Sequence, residues 1–437
     1  MIKYSEVLNG EKKNINFEDS ESYAYVTHLL HTLGMEQARC FSNKAMEFIL
    51  QNDALNNAIF DGKDTVSDSG GNYYKDLLLD LEFDIPFPPN KESDFTFIDL
   101  FAGIGGFRLA LDSLKGKCVF SSEIDKYCKQ VYESNFGEIP FGDIKYFTNE
   151  NISDEKLKEL IPDHDILAGG FPCQAFSIAG RRGGFEDTRG TLFFDVARIL
   201  KVKKPKAFIL ENVKGLRNHR SGKTLETILN VLRNDLNYFV PKPEILNAKK
   251  FGVPQNRERI IIVGFRNDFG FDKFTYPKNA IKESNFISGK AFNDVKESEE
   301  VSVKYYLSDQ YLSTLREHRR RHERKGNGFG YEIIEDDETA NAIVVGGMGR
   351  ERNLVWDHRL TNFKPVTNIK GKVNREGLRR MTPREWARLQ GFPDKFRIDT
   401  VSDTQAYKQF GNSVAIPVIQ AVGAKIKEKL MVENAFG

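Results

Sequence analysis

From Asp94 onward the chain repeats one pattern: an apolar run rich in β-branched and aromatic residues, a glycine turn, then a helix-forming segment. FTFIDLF is followed by AGIGG and FRLALDSL, and the later runs CVFSSE, DILAGG, AFILENV and RIIIVGF alternate with RGTLFFDVARILK and GKTLETILNVLRND. Strands alternating with helices imply a mainly parallel, doubly wound α/β sheet covered by helices on both faces. In such sheets ligands bind beyond the carboxyl ends of the strands. The glycines of Ala102 to Gly106, the carboxylate of Glu123, the thiol of Cys173 and the carboxylate of Glu211 all fall at or just after a strand end, so they are expected on one edge of the sheet.

Ahead of this pattern, SYAYVTHLLHTL and QARCFSNKAMEFILQN read as helices. The Gly/Ser/Asp-rich DGKDTVSDSGGN interrupts them, and IPFPPNKES reads as a linker because its prolines favour extended chain. Residues 1–93 are therefore expected to form a helical N-terminal extension and linker. After about Asn267 the strands become short and irregular and charges cluster. This divides the remainder into a cofactor-binding domain, 94–275 completed by 400–437, and a smaller, irregular, mainly β domain, 276–399. Within TPREWARLQG, Thr382 suits an N-cap, Pro383 the first helical position and Glu385 a capping box, with Gly391 as the stop. AYKQFGNSVAIPVIQAVGAKIKEKL reads as a turn leading into a C-terminal helix.

Bulk properties exclude several classes. The net charge of +2, from 64 basic and 62 acidic residues, means that any nucleic-acid contact must come from local clusters, of which LREHRRRHERKGNGFGY is the densest. The four cysteines, Cys40, Cys118, Cys128 and Cys173, form no CxxC pair and have no histidine at metal-ligand spacing, which argues against a disulfide framework or a zinc site. Cys40, Cys118 and Cys128 read as small buried hydrophobes. The start carries no signal-peptide core and no run reaches bilayer length, so a cytoplasmic location is expected.

The turn in FIDLFAGIGGFR lets backbone N–H groups approach a ligand closely, but it departs from the dinucleotide fingerprint because Arg108 occupies the third glycine position. Glu123, ending the next strand, is placed where a ribose diol needs an acceptor. Cys173 follows Pro172 at a strand end, and Glu211-Asn212 closes the neighbouring strand. An adjacent acid raises a thiol pKa, so the pair makes sense when a substrate lies between them. Arginines from QNRERI would favour the thiolate and hold a substrate oxygen.

In unbroken order the chain contains DLFAGIGGFR, SSEID, GDI, GGFPCQAFS, GTLFFDVARI, ENVKGL, QNRERI, MTPREWARLQGFP and QFGNSVAIPV. This set resembles the DNA cytosine-5 methyltransferases of bacterial type II restriction–modification systems, over Phe97 to about Gly270 and Arg379 to Ala424. The resemblance implies an S-adenosylmethionine-dependent, Rossmann-like catalytic domain. It assigns Cys173 as the nucleophile that adds to cytosine C6, Glu211 as the partner of N3 and the exocyclic amine, Arg259 as the holder of O2 and Arg257 as support for its loop. It places Phe101, Ala102, Gly103, Ile104, Gly105 and Gly106 around the methionine part of the cofactor and Glu123 on the ribose. Ile124 and Ile144 would flank the adenine, Asp143 would meet its amino group, and Pro172, Leu192, Asn412, Ser413 and Val414 would complete the pocket.

The target base must be flipped out of the duplex. The run from Ala175 to Thr188, with Ser177, Arg181 and Arg182, reads as a loop closing on DNA, and 276–399 as the target-recognition domain. There Arg319, Arg320, Arg321, Arg324, Lys325, Asn327, Phe329, Tyr331, Arg350 and Arg352 are expected to serve phosphate and base-edge contacts. KGNGFGY looks like the recognition region of family members acting on CCGG, CCNGG or CCWGG, in that order of preference. The partners implied are double-stranded DNA and a cognate restriction endonuclease that forms no stable complex, with the chain acting as a monomer. A transfer-RNA cytosine-5 methyltransferase and an autoregulator binding DNA through the N-terminal extension are the alternatives. A thiol hydrolase is set aside because no histidine shares a motif with Cys173.

Overall fold

The computed structural model describes residues 2–3, 20–52, 81–172, 192–281, 286, 289–346, 348–366 and 371–434. The chain forms two compact units, each discontinuous in sequence. The first holds 1–245, 260–276 and 423–437, and the second 246–259 and 277–422. The extension thus belongs to the same unit as the sheet, whereas 246–259 and 400–422 group with the second unit rather than with the sequence-expected catalytic domain.

The first unit is built on the strands β1 (Phe95–Leu100), β2 (Gly116–Ser122), β3 (Ile166–Gly170), β4 (Ala207–Val213), β5 (Tyr238–Phe239), β6 (Glu244–Asn247) and β7 (Glu258–Arg266). Their order is β2-β1-β3-β4-β7-β5, with β6 beside β7. β1 runs parallel to both β2 and β3, and β3 parallel to β4, while β5 is antiparallel to β7. β1 to β4 are buried almost throughout rather than on alternate residues. That is why they read as continuous apolar runs, since helices cover both faces of a parallel sheet. The chain places β2 on one side of β1 and β3 on the other, so the order reverses there, the position at which open α/β sheets bind ligands.

The extension contributes α1 (Ser20–Thr32) and α2 (Arg39–Gln51). α2 buries Phe41, Ala45 and Ile49, spaced four apart on one face, and α1 buries Ala24, Val26, Leu29 and Leu30 in the same core as Phe120 and Phe141. Further helices among the described residues of this unit are α3 (Gly106–Asp112), α4 (Lys126–Phe136), α5 (Lys145–Thr148), α6 (Asp154–Leu160), α7 (Leu192–Lys203) and α8 (Lys223–Asn230). Asp125 caps α4 by accepting from the N–H groups of Tyr127 and Cys128, and Gly137, at φ 66°, ends it.

In the second unit, α9 (Asp309–Arg324) is capped by Ser308, buries Leu312 and Leu315, and gathers Arg321, His322 and Arg324 in its last turn, where cations suit the helix dipole. Thus the basic run LREHRRRHER is helical. The strands β8 (Ile333–Ile334), β9 (Leu354–Trp356) and β10 (Leu378–Arg380) form a small sheet in that order. α10 (Pro383–Leu389) carries the capping box expected from the sequence: Thr382 Oγ1 accepts from Glu385 N at 3.1 Å, and Thr382 N donates to Glu385 Oε2 at 2.8 Å. The Glu385 carboxylate also takes both terminal nitrogens of the buried Arg379, whose Nε donates to Asp357 at 2.8 Å. α11 (Asp403–Asn412) contains AYKQFGN, so the turn expected there is shortened to Ser413–Ala415 before α12 (Ile416–Asn434).

Candidate active site

At the end of β1 the backbone turns sharply. Phe101, Gly103 and Gly105 have φ of 56°, 55° and 85°, a region that a non-glycine residue such as Phe101 enters only at an energetic cost. Ala102 N bonds to Ser122 O at 3.0 Å and Gly105 N to Ala102 O at 2.8 Å, with Ile104 buried and Gly106 opening α3. A Cβ on Gly105 would overlap the Phe136 ring, so close approach as well as conformation requires glycine there. Glu123 closes over this turn: its Oε2 accepts from Gly103 N at 2.8 Å and its Oε1 from Asp125 N at 2.7 Å. Burial pushes its pKa above the ordinary carboxylate value, opposing the effect of these N–H groups. Next to it Ile124 leaves 71% of its surface exposed, an apolar face suited to a ring.

The segment after α4 runs along the outer edge of β2. Phe141 N donates to Ser121 O at 2.9 Å, Glu123 N to Phe141 O at 2.8 Å, and Ser122 Oγ to Gly142 O at 2.8 Å. Asp143 follows, with Oδ1 accepting from Lys145 N at 3.0 Å. Ile144 is buried in the core, so of the two isoleucines expected at the adenine only Ile124 is exposed.

On the other side of β1, Gly170 of β3 pairs with Glu211 of β4. A Cβ on Gly170 would stand 3.4 Å from Glu211 Oε2, so the carboxylate lies directly over the end of β3. Asn212, buried, donates from Nδ2 to Phe171 O at 2.8 Å and accepts from Val213 N at 2.9 Å. The Phe171 ring packs 5.7 Å from Phe193, Pro172 is exposed, and half-buried Leu192 opens α7. Cys173, Ser177, Arg181 and Arg182 lie outside the described residues.

In the second unit Arg257 is buried and donates to three backbone carbonyls: Ile343 at 2.7 Å, Gly411 at 3.0 Å and Ser413 at 2.7 Å. Gln390 Nε2 donates to Phe410 O at 2.8 Å and Ser413 O at 3.2 Å. These contacts fix the segment that carries exposed Asn412, half-buried Ser413 and buried Val414. Half-buried Arg259 donates to Glu258 O at 2.9 Å.

Of the residues expected at DNA, Arg320, Arg321, Arg324, Lys325 and Asn327 are exposed along the end of α9 and the turn after it, and Phe329 leaves 49% of its surface exposed. Arg319 is tied to Glu323 at 3.0 Å and lies over the ring of Tyr331, whose carbonyl it also meets. Arg352 is paired with Glu332 at 2.8 Å, and Arg350 lies over Tyr407. Residues not singled out from the sequence include Asn212 as anchor, Gln390, and a buried group around Arg108 and Glu138; no local motif marks them, because their partners are distant in sequence.

A doubly wound sheet whose first strand ends in a strained glycine turn and whose second ends in an acid bonded to that turn is built to hold an adenosine-bearing cofactor, and the family match over residues 95–428 makes this an S-adenosylmethionine-dependent methyltransferase. The residues fit that cofactor: the turn excludes side chains, and Glu123 sits beside exposed Ile124. More specifically, the chain belongs to the C-5 cytosine-specific DNA methylase family, whose model matches residues 95–428. It is a DNA cytosine-5 methyltransferase acting on double-stranded DNA with S-adenosylmethionine.

It is 65% identical over 343 residues to the type II methyltransferase M.HpaII of Haemophilus parainfluenzae, covering 78% of this chain and 92% of that one. It is 44% identical over 349 residues to M1.ScrFI of Lactococcus lactis subsp. cremoris, covering 79% and 81%. M.BsuFI of Bacillus subtilis is 37% identical over 434 residues, covering 93% and 92%. Among solved structures, S. pombe Dnmt2 methyltransferase shares the fold, with a TM-score of 0.57, 18% identity, and 78% and 99% coverage.

Proposed function

We propose that methyl transfer proceeds through a covalent bond between Cys173 and C6 of a flipped-out cytosine, with Glu211 at N3 and the exocyclic amine and Arg259 at O2. The observation that carries this reading is the pairing of Gly170 with Glu211, together with the Asn212 bond to Phe171, which brings the chain leading to Cys173 alongside that carboxylate. Cytosine C5 is not nucleophilic until C6 carries an added group, and thiolate addition makes C5 enamine-like. Glu211, by donating a proton towards N3, holds the charge that develops on the ring. S-adenosylmethionine supplies an electrophilic methyl group. Loss of the C5 proton to water, return of the N3 proton to Glu211 and expulsion of the Cys173 thiolate then restore the aromatic ring.

On the cofactor side, Glu123 has two oxygens fixed by N–H groups and lone pairs left for a ribose diol, exposed Ile124 supports the adenine, and Asp143 meets its amino group. The positive charges and Phe329 at the end of α9 favour target recognition there, with CCGG the first choice of site, then CCNGG or CCWGG. The enzyme acts as a cytoplasmic monomer that protects host DNA from a cognate endonuclease without a stable complex with it. No helix among the described residues is long and apolar enough to cross a membrane.

The test is whole-plasmid bisulfite sequencing after expression in a host lacking cytosine methylation. Wild type should protect cytosines within CCGG, and Cys173→Ala none. Methylation by Cys173→Ala would refute the covalent route, and methylation confined to GCGC or GGCC would refute the assigned site.

A further inference from the structure

We propose that α1 of the N-terminal extension is a positioning element for the adenosine end of the cofactor site, acting through Glu21, Thr27 and His28. The proposal rests on the reading of Glu123 and Asp143 as adenosine contacts. β2, which ends beside Glu123, is the edge strand of the sheet, and an edge leaves backbone N–H groups in search of partners. The segment before Asp143 satisfies part of that edge, and α1 supplies side-chain acceptors to one N–H of β2 and to two of that segment. His28 Nε2 accepts from Ser121 N at 3.0 Å, Thr27 Oγ1 from Ile139 N at 3.1 Å, and Glu21 Oε1 from Gly142 N at 2.7 Å.

Ser121 stands two residues before Glu123, and Gly142 immediately before Asp143. The three bonds therefore fix the main chain behind both carboxylates. His28 Nδ1 lies 2.8 Å from Ala24 O, which places its proton on that nitrogen and leaves Nε2 free to accept. A Cβ on Gly142 would stand 2.6 Å from Glu21 Oε1, so glycine is what permits this approach.

The support is anchored from below. Ser121 Oγ donates to Glu138 Oε1 at 2.7 Å, Arg108 Nη1 donates to the same oxygen at 2.9 Å, and His28 and His31 lie 3.5 and 3.4 Å from the Glu138 carboxylate. Arg108 projects from α3, the helix that follows the glycine turn, and its Nε meets Asp112 at 3.0 Å. One buried group thus links α1 to both the turn and the β2 edge. A helix serving only to cover apolar surface would have no need of three side chains that end on main-chain N–H groups. The match to M.BsuFI spans 93% of this chain and so must reach well into the residues before Asp94.

The experiment is steady-state methylation by the full-length enzyme carrying Glu21→Ala with Thr27→Val. The expected result is a rise of about tenfold in KM for S-adenosylmethionine, with kcat and KM for DNA within about twofold, since displaced anchors weaken binding without touching the reacting atoms. Glu21→Gln, whose amide oxygen still accepts, should restore the parental KM at that position. An unchanged cofactor KM, even with a lowered melting temperature, would overturn the proposal and leave α1 as packing only. Should the double variant not fold, Glu21→Ala alone, at a partly exposed residue, carries the same test with a rise of about threefold. Glu123→Ala separates the two readings: if it leaves the cofactor KM unchanged, the adenosine assignment itself fails, whereas a large rise there with none from the α1 variants refutes this proposal alone.

Discussion

Replacing Asn212 tests whether the anchor of the strand end preceding Cys173 matters to chemistry or only to folding. Its side chain donates to Phe171 O at 2.8 Å and is buried. Of the two bonds this side chain makes, Asn212→Ala removes the one to Phe171 O, worth about 1 kcal/mol net, and leaves a buried carbonyl without a donor, at about 1–3 kcal/mol, while the bond from Val213 N, at an exposed residue, is exchanged for water. Destabilisation of about 2–4 kcal/mol should result, measurable by urea unfolding. Asn212→Asp keeps the volume but turns an acceptor towards the carbonyl, so it should cost at least as much at neutral pH. Phe171 is two residues from Cys173. If about 1.4 kcal/mol of the lost anchoring reaches the methyl-transfer step, kcat falls about tenfold. The glycine turn and Glu123 are untouched, so KM for S-adenosylmethionine should stay within about twofold. Single-turnover methylation of a duplex oligonucleotide reads the step directly. A variant that loses the expected stability but keeps its single-turnover rate within about twofold would refute the coupling.

Arg257→Met should destabilise by about 3–5 kcal/mol, because the buried Ile343 and Gly411 carbonyls lose this donor and Ser413 O keeps only Gln390, whereas Arg257→Lys can reach only part of the set; chemical unfolding of the two variants checks this ranking. Stability should also fall in acid. Burial lowers the pKa of His164 from 6.5 to about 4, so its contribution is complete above about pH 6.5 and is lost between about pH 6.5 and 4, as the unfolded chain takes up the proton that the native state refuses. His31, lowered to about 3, extends the decline. Urea unfolding of His164→Asn at pH 7 and pH 4.5 should show about 2 kcal/mol less acid-induced loss than wild type, and equal losses would show that His164 contributes little.

Much of the fold was legible because its signals are local. Continuous apolar runs between glycine turns marked the buried parallel strands, and Thr382, Pro383 and Glu385 marked a helix start through contacts three residues apart. The glycine turn, Glu123 and Glu211 were legible because strand ends in such a sheet have one destination. What was not legible depends on partners far along the chain. Asn212 meets a carbonyl 41 residues away, and Arg257 meets carbonyls 86 and 154 residues away. A backbone carbonyl has no sequence signature.

The segment around Gly411 differs from expectation in another way. AYKQFGN reads as part of a turn, but Gly411 lies inside α11, where a Cβ would crowd Val345, so its glycine serves close packing. The extension was legible as helices, but Glu21, Thr27 and His28 act on main-chain N–H groups that no residue pattern announces.

The discontinuity of the sheet-bearing unit has a consequence during synthesis. His28 precedes Ser121, the edge residue it meets, by 93 positions. At roughly 5–20 residues per second on the ribosome, the covering helix is made on the order of 5–20 s before the strand edge that needs it. The end of the same unit comes last: from Gly423 onward α12 packs against Leu111 and Leu114, and Lys427 bonds to Asp94 and to Leu114 O. A nascent chain can therefore shield its edge early but cannot close its catalytic unit until the segment from Gly423 onward has been made, so chains released before that point should be silent on DNA.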